Sequence, residues 1–194
     1  MTLRIIGGTF RNRPLKTPKG AQTRPTLAVM RKAVFDILQT KVDEASFLDL
    51  YAGSGAMGLE ALSRGASHAT FVEIDRHAFG CIEENIRLFE VQDRSTMISY
   101  DALLALKKFA KEGKSFDIAY VDPPYAIGSR LQLLEKILFF FETHSLLTPG
   151  GTLFLEEAAP AVLNIASLEL SALAFVDSRT FSRSTLHQFR MKGS

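Results

Sequence analysis

Residues 48–62, LDLYAGSGAMGLEAL, set Gly53-x-Gly55-x-x-Gly58 directly after an apolar run and at the head of a helical pattern. Glu73 lies twenty positions beyond Gly53, near the end of the next apolar run, ATFVEID. Glycines at this spacing permit a tight strand-to-helix turn and close approach of a ligand. An acid at that distance accepts hydrogen bonds from ribose hydroxyls. Strand, loop, helix, strand and acid in this register predict a doubly wound α/β sheet that binds a nucleoside. A simple tight turn is the plainer alternative.

The flanking chain agrees. SFLDLYA, ATFVEID, TMISY, FDIAYVD and GTLFLEE read as strands, with helices over 57–64, 76–89, 102–111 and 129–143. That βαβ rhythm predicts a parallel sheet covered on both faces. The strand GTLFLEE follows a turn at Pro149-Gly150-Gly151. Residues 167–191 hold two extended runs with no helix between them, which predicts an antiparallel pair. At the other end, LRIIGGTFRNRPLKTP reads as a hairpin or extended arm around Gly7-Gly8. RPTLAVMRKAVFDIL reads as a helix capped by Thr26, with Val29, Ala33, Val34, Ile37 and Leu38 on its apolar stripe. A boundary near residue 45 separates an N-terminal extension, 1–44, from a domain over 45–194.

Charge is uneven along the chain. Residues 1–35 hold eight basic residues and no acid, and residues 179–194 hold four and no acid. The middle carries the other eleven basic residues and all 21 acids. A basic arm points to a polyanion, of which nucleic acid is the commonest. Arg4, Arg11, Arg13, Lys16, Lys19 and Arg24 are the candidate RNA-binding residues. The plainer reading is a solvated basic surface, or an edge hairpin that completes the fold.

The acids around the glycine loop narrow the ligand. No Gly-Lys-Ser/Thr follows the glycines, which excludes a P-loop. Glu60, in the first helical turn, disfavours a dinucleotide pyrophosphate there. Asp49, Glu60 and Glu73 suit a cationic ligand, and S-adenosylmethionine carries a sulfonium and an ammonium and no phosphate. Asp101, after the third strand, is placed to reach an adenine amino group or to cap the helix that follows. With Ser54, Ile74 and Ala102 beside them, Asp49, Gly53, Gly55, Gly58, Glu73, Asp101 and Asp122 form the expected cofactor-binding set.

The fourth strand ends in Asp122-Pro123-Pro124-Tyr125. An exocyclic amine conjugated to a purine is a poor nucleophile and must pyramidalise to attack a methyl group. The Asp122 carboxylate and the Pro123 carbonyl supply two acceptors for its N–H groups. The prolines hold φ near −65°, so that carbonyl needs little reorganisation. Tyr125 offers a flat face for an extruded base. In a doubly wound sheet the fourth strand lies beside the first, which brings this motif to the glycine loop. A rigid Pro-Pro turn is the plainer alternative.

With these motifs in hand, the chain from Arg4 to about Arg190 resembles the bacterial family that methylates the N2 amine of a guanine in 16S ribosomal RNA. The resemblance rests on RIIGGTFRNRPLKTP, TRPT, LDLYAGSGAMGLEALSRGA, FVEIDR and VDPPY. It implies a Rossmann-like class I methyltransferase fold: a seven-stranded, mostly parallel sheet with an antiparallel C-terminal hairpin. It also implies S-adenosylmethionine as methyl donor, no metal, and a basic N-terminal extension that engages ribosomal RNA or the small subunit. After RPT the family usually shows an Asp-Arg pair and then a basic-acidic pair, where this chain has Ala28-Val29 and Arg31-Lys32. The alternatives are an adenine-N6 methyltransferase, an NAD-dependent oxidoreductase and a non-catalytic RNA-binding assembly factor. Asp-Pro-Pro-Tyr and Glu60 disfavour the oxidoreductase. Every catalytic element is present, which disfavours the assembly factor.

Other chemistries find little support. His68, His77, His144 and His187 lack metal-ligand spacing. Cys81, the single cysteine, sits in a helical pattern and excludes an internal disulfide. The N-terminal stretch has no apolar core of signal-peptide type, and ILFFF at 137–141 is too short to span a bilayer. The expectation is a cytoplasmic monomer with no membrane contact.

Overall fold

The computed structural model describes residues 3–18, 25–123 and 130–193. Its sheet is built from the apolar runs: β1 (Ser46–Leu50), β2 (His68–Val72), β3 (Ser95–Ile98), β4 (Phe116–Val121), β5 (Leu147–Ala158), β6 (Leu173–Phe181) and β7 (Ser184–Met191). The order across the sheet is β3-β2-β1-β4-β5-β7-β6. The first five strands pair in parallel, and β7 runs antiparallel to both β5 and β6. This is the seven-stranded, mostly parallel sheet with a C-terminal hairpin that the resemblance implies. Phe47, Leu48, Ala119 and Phe154 have no exposed surface. Both faces of the central strands are therefore covered, as continuous apolar runs require.

The helices are α1 (Pro25–Leu38), α2 (Ala56–Ser63), α3 (Arg76–Phe89), α4 (Ala102–Glu112) and α5 (Arg130–Thr143). α3 buries Ala78, Ile82, Asn85, Ile86 and Phe89 along one stripe and is capped by Asp75, which accepts from the His77 and Ala78 amides. α4 buries Ala102, Ala105, Leu106 and Phe109 and ends on Gly113 in the left-handed region. One core cluster joins Phe47, Tyr120 and Phe154 to α1, α2 and α3. A second joins Leu48, Val121 and Leu155 to α4 and α5. No helix among the described residues is long and apolar enough to cross a membrane.

Residues 3–18 fold back on themselves, with Arg4 bridged to Pro14 and the Leu15 amide bonded to the Leu3 carbonyl at 2.8 Å. Ile5 and Leu15 are buried in the same core cluster as α1, β1 and β2. The change near residue 45 is thus one of secondary structure, not a break in packing.

Three details depart from the sequence expectations. Pro149-Gly150-Gly151 is not a turn before β5 but a bulge inside it. The register jumps from Phe116↔Leu147 to Ile118↔Thr152, so β5 holds three extra residues over that interval. The buried face of α1 is rotated: Val29 is 52% exposed, whereas Met30, Arg31, Val34, Phe35 and Leu38 are buried. Ala33 and Ile37 are half-buried. The side chain of Thr26, the expected cap, lies outside the described residues.

Candidate active site

β1 and β4 are neighbours in space but far apart in sequence, and their C-terminal ends mark the switch point of the sheet. Asp49 pairs with Tyr120 and Leu50 with Val121. One residue further on, the Asp122 amide donates to the Leu50 carbonyl at 3.4 Å. The glycine loop and the Asp122 motif therefore leave the sheet side by side.

The loop turns through left-handed backbone at Tyr51 (φ 65°), Gly53 (φ 56°) and Gly55 (φ 76°). Glycine adopts this freely, and Tyr51 carries the strain of a non-glycine residue there. A Cβ on Gly53 would meet nothing within 4 Å, so its outer side is open to a ligand. Gly58 does different work. A Cβ there would lie 2.3 Å from Phe71 Cε1, so this glycine lets α2 lie flat on β2.

Three side chains hold the loop. The Gly53 amide donates to Glu73 Oε2 at 2.8 Å, and the Asp75 amide donates to Glu73 Oε1 at 2.8 Å. Each oxygen keeps a lone pair for a ligand hydroxyl. The Gly58 amide donates to Asp49 Oδ2 at 2.9 Å. Asn85, fully buried on α3, donates Nδ2 to the Ser54 carbonyl at 3.0 Å. Burial pushes the Asp49 carboxyl up to about 7; the Gly58 amide opposes this and the nearby Glu73 charge adds to it. Burial and the Asp101 charge push the Tyr51 phenol up to about 12.

Asp49, Gly53, Ser54 and Asp122 line one cavity of about 150 Å³, and Arg31 and Tyr120 complete its polar wall. Glu73 is not among its lining residues and is joined to it by the Gly53 amide. Ile74 is 61% exposed beside Glu73. Asp101 Oδ1 caps α4, accepting from the Leu103 and Leu104 amides at 2.9 and 3.1 Å, and Ala102 is buried behind it. Pro123 is buried at the end of β4, while Pro124 and Tyr125 lie outside the described residues.

The structure corrects one sequence assignment. Glu60 does not face the glycine loop. It sits beyond the first turn of α2, fully buried, and accepts from the Ile6 and Gly7 amides at 2.8 and 2.7 Å and from Arg64 Nε at 2.8 Å. Its charge braces the N-terminal segment.

Of the candidate RNA-binding residues, Arg4, Arg11 and Lys16 are exposed. Arg13 is half-buried: it stacks on Phe89, 4.5 Å from the ring centre, and donates to the Leu88 carbonyl. Lys19 and Arg24 lie outside the described residues.

Arg31, Tyr51 and Asn85 escape the sequence reading. For Arg31 a signal exists: with Val34, Phe35 and Leu38 it occupies one helical stripe, so a cation sits where the periodicity demands an apolar residue. For Asn85 the same holds within the stripe of α3. Tyr51 has no signal beyond its place in the loop. Another buried polar pair at this end of the sheet, Tyr120 donating to Glu156, is likewise invisible in sequence because its partners are 36 residues apart.

Comparison with known proteins agrees with this geometry. The chain is 34% identical over 154 residues to ribosomal RNA small subunit methyltransferase D of Escherichia coli K12, covering 79% of this chain and 74% of that protein. It is 33% identical over 154 residues to YlbH of Bacillus subtilis 168, covering 79% and 82%. The solved structure of Escherichia coli yhhF superposes with a TM-score of 0.82 at 27% identity, over 100% of both chains. The family described as conserved hypothetical protein 95 matches residues 3–190, and the chain belongs to that family.

Proposed function

We propose that the protein methylates the exocyclic N2 amine of a guanine in small-subunit ribosomal RNA, with S-adenosylmethionine as donor. The observation that carries this reading is the shared cavity: Gly53 and Ser54 of the nucleoside loop and Asp122 of the amine-binding motif line the same space. The Escherichia coli relative is named for methylation of small-subunit ribosomal RNA, which supports the substrate class.

The residues fit that donor. Glu73 retains acceptor capacity for ribose hydroxyls, Gly53 is open on its outer side, and Asp49 and Asp122 present carboxyl groups to a cationic centre. When bound, S-adenosylmethionine supplies an electrophilic methyl group on a sulfonium. The protein's part is to hold the amine in line with it. Asp122 and the Pro123 carbonyl accept from the N–H groups, which localises the nitrogen lone pair for attack. As the N–C bond forms and the S–C bond breaks, the amine becomes cationic. The Asp122 carboxylate stabilises that charge and takes up the proton the nitrogen loses, then passes it to solvent. Tyr125 is proposed to stack on the base, which must leave any duplex because A-form helices hide base edges. Arg4, Arg11, Arg13, Lys16, Lys19 and Arg24 are proposed to meet the RNA backbone.

The test is to map methyl groups on ribosomal RNA from cells lacking the protein, and to supply purified protein with naked 16S RNA and with small subunits. One N2-methylguanine should disappear in the cells and return in vitro. Loss of an N6-methyladenine instead, or no change, refutes the reading.

A further inference from the structure

Arg31 is 3% exposed and is the one cation among the residues lining the cavity beside Asp122. A guanidinium removed from water at this depth needs several acceptors. It has few. Nη2 donates to the Arg4 carbonyl at 2.5 Å. Nε stands 3.5 Å from Glu60 Oε2, makes no hydrogen bond, and is fully buried. Glu60 does not depend on Arg31, since Arg64 holds it at 2.8 Å and two backbone amides saturate it further.

The position of the cavity says what the guanidinium awaits. The groups suited to adenosine, Glu73, Ile74 and Asp101, lie outside the lining, so the cavity takes the other end of the donor. That end is an amino acid carrying two cations, sulfonium and ammonium, and one carboxylate. The cavity carries the complement: two carboxyl groups, Asp49 and Asp122, and one guanidinium. We propose that Arg31 binds the donor's carboxylate, so that α1 contributes a cofactor-selecting residue. The inference rests on the reading of the site as an S-adenosylmethionine site. Guanidinium–carboxylate pairs are short and directional, and this one would also supply the acceptors Arg31 lacks.

The experiment measures binding by calorimetry, without turnover. Three probes are S-adenosylmethionine, its decarboxylated form, and methylthioadenosine, which lacks the whole amino-acid end. The parent protein should prefer S-adenosylmethionine to the decarboxylated form by about 10- to 100-fold, as expected for a charged hydrogen-bonded pair. Arg31→Met should lose that preference while binding the decarboxylated form like the parent, and Arg31→Lys should keep part of it. Equal parental affinity for the two overturns the assignment, and that comparison needs no variant that must fold. A folded Arg31→Met protein that keeps the parental preference also overturns it. If Arg31 serves the RNA base instead, the cofactor preference stays and RNA affinity alone falls. If none of the three probes binds, the cofactor reading itself fails, whereas methylthioadenosine binding without the preference removes only the role of Arg31.

Discussion

The carboxylate of Glu60, wholly inside the protein, accepts the backbone N–H of Gly7 at 2.7 Å across 53 residues of chain. This bond, with its twin to Ile6, ties the N-terminal segment to the helix that follows the glycine loop. Leu3 of that segment also lines the active-site cavity. The segment is therefore part of the domain's packing as well as a carrier of basic residues. Replacing Glu60 by Ala leaves two amides and Arg64 without their acceptor, and the buried Arg31 without its nearby counter-charge. The expected loss is about 3–5 kcal/mol, typical of breaking a buried ion pair from one side. Urea denaturation measures it, and a loss below about 1 kcal/mol would show that water replaces the carboxylate.

Because Ile5 and Leu15 are core residues, deleting residues 1–18 is expected to lower the melting temperature and impair cofactor binding together. RNA docking needs a gentler probe. Arg4, Arg11 and Lys16 are exposed and can be changed to Gln without opening the core. The triple variant should melt like the parent, keep its cofactor affinity and bind RNA more weakly. The slope of log affinity against log salt should flatten by about 0.7–0.9 for each phosphate that the variant no longer neutralises. An unchanged salt slope would place the RNA elsewhere. Arg13 is left out because its stacking on Phe89 gives it a packing role.

Much of the scaffold is legible in the sequence because its signals are local. Apolar runs of β1, β2 and β4 are bounded by turns, helices α3 and α4 follow from their apolar spacing, and Asp101 reads as a cap of α4. The meeting of Asp122 with the glycine loop is legible too, since it follows from doubly wound topology. What stays hidden is long-range polar pairing. Glu60 reads as a ligand-facing acid because nothing nearby in sequence discloses its bonds to residues 6 and 7. Val29 reads as buried because the true stripe on α1 includes Arg31, whose surroundings come from distant elements. The bulge in β5 is hidden because Pro-Gly-Gly favours a turn by composition alone.

Asp122→Ala is expected to cut the rate of methyl transfer at saturating cofactor by about 100-fold or more, the scale of a lost transition-state acceptor, and to weaken cofactor binding by less than that, because Asp49 still faces the donor's cations. Asp122→Asn should also be slow, because an amide oxygen accepts less strongly. Single-turnover rates within twofold of the parent would remove the carboxylate from the mechanism.

Asn85 joins the N-terminal segment to the glycine loop. Its Oδ1 accepts from the Lys16 amide at 2.8 Å, and its Nδ2 donates to the carbonyls of Lys16 and Ser54. Asn85→Leu keeps the volume and removes all three bonds. It should destabilise the fold by about 1–3 kcal/mol through unsatisfied backbone groups. It should also weaken cofactor binding more than a distant variant of equal stability cost does, such as one in α5. Equal effects on cofactor affinity would show that Asn85 contributes only to folding.

Asp49 is expected to make cofactor binding sensitive to pH. Its carboxyl is held at about 7 in the folded protein, against an ordinary value of 3.8. A raised acid holds its proton longer when folded, so the ligand-free protein loses stability as pH climbs from about 4 to 7 and is flat above. A cation placed against Asp49 favours the ionised form and pulls that value down. Binding of S-adenosylmethionine should therefore strengthen as pH rises from about 6 to 7.5 and should release protons at the lower end. The ligand's own ammonium begins to lose its proton near pH 8, which limits the rise. Methylthioadenosine carries no charge, and its affinity should hold steady or fall slightly over the same range. Asp49→Asn should abolish the rise for S-adenosylmethionine while sparing the analogue. Calorimetry in buffers of different ionisation enthalpy counts the protons. Proton uptake on binding at pH 6, or a flat affinity with the wild-type residue, would show that the donor's cations do not face Asp49.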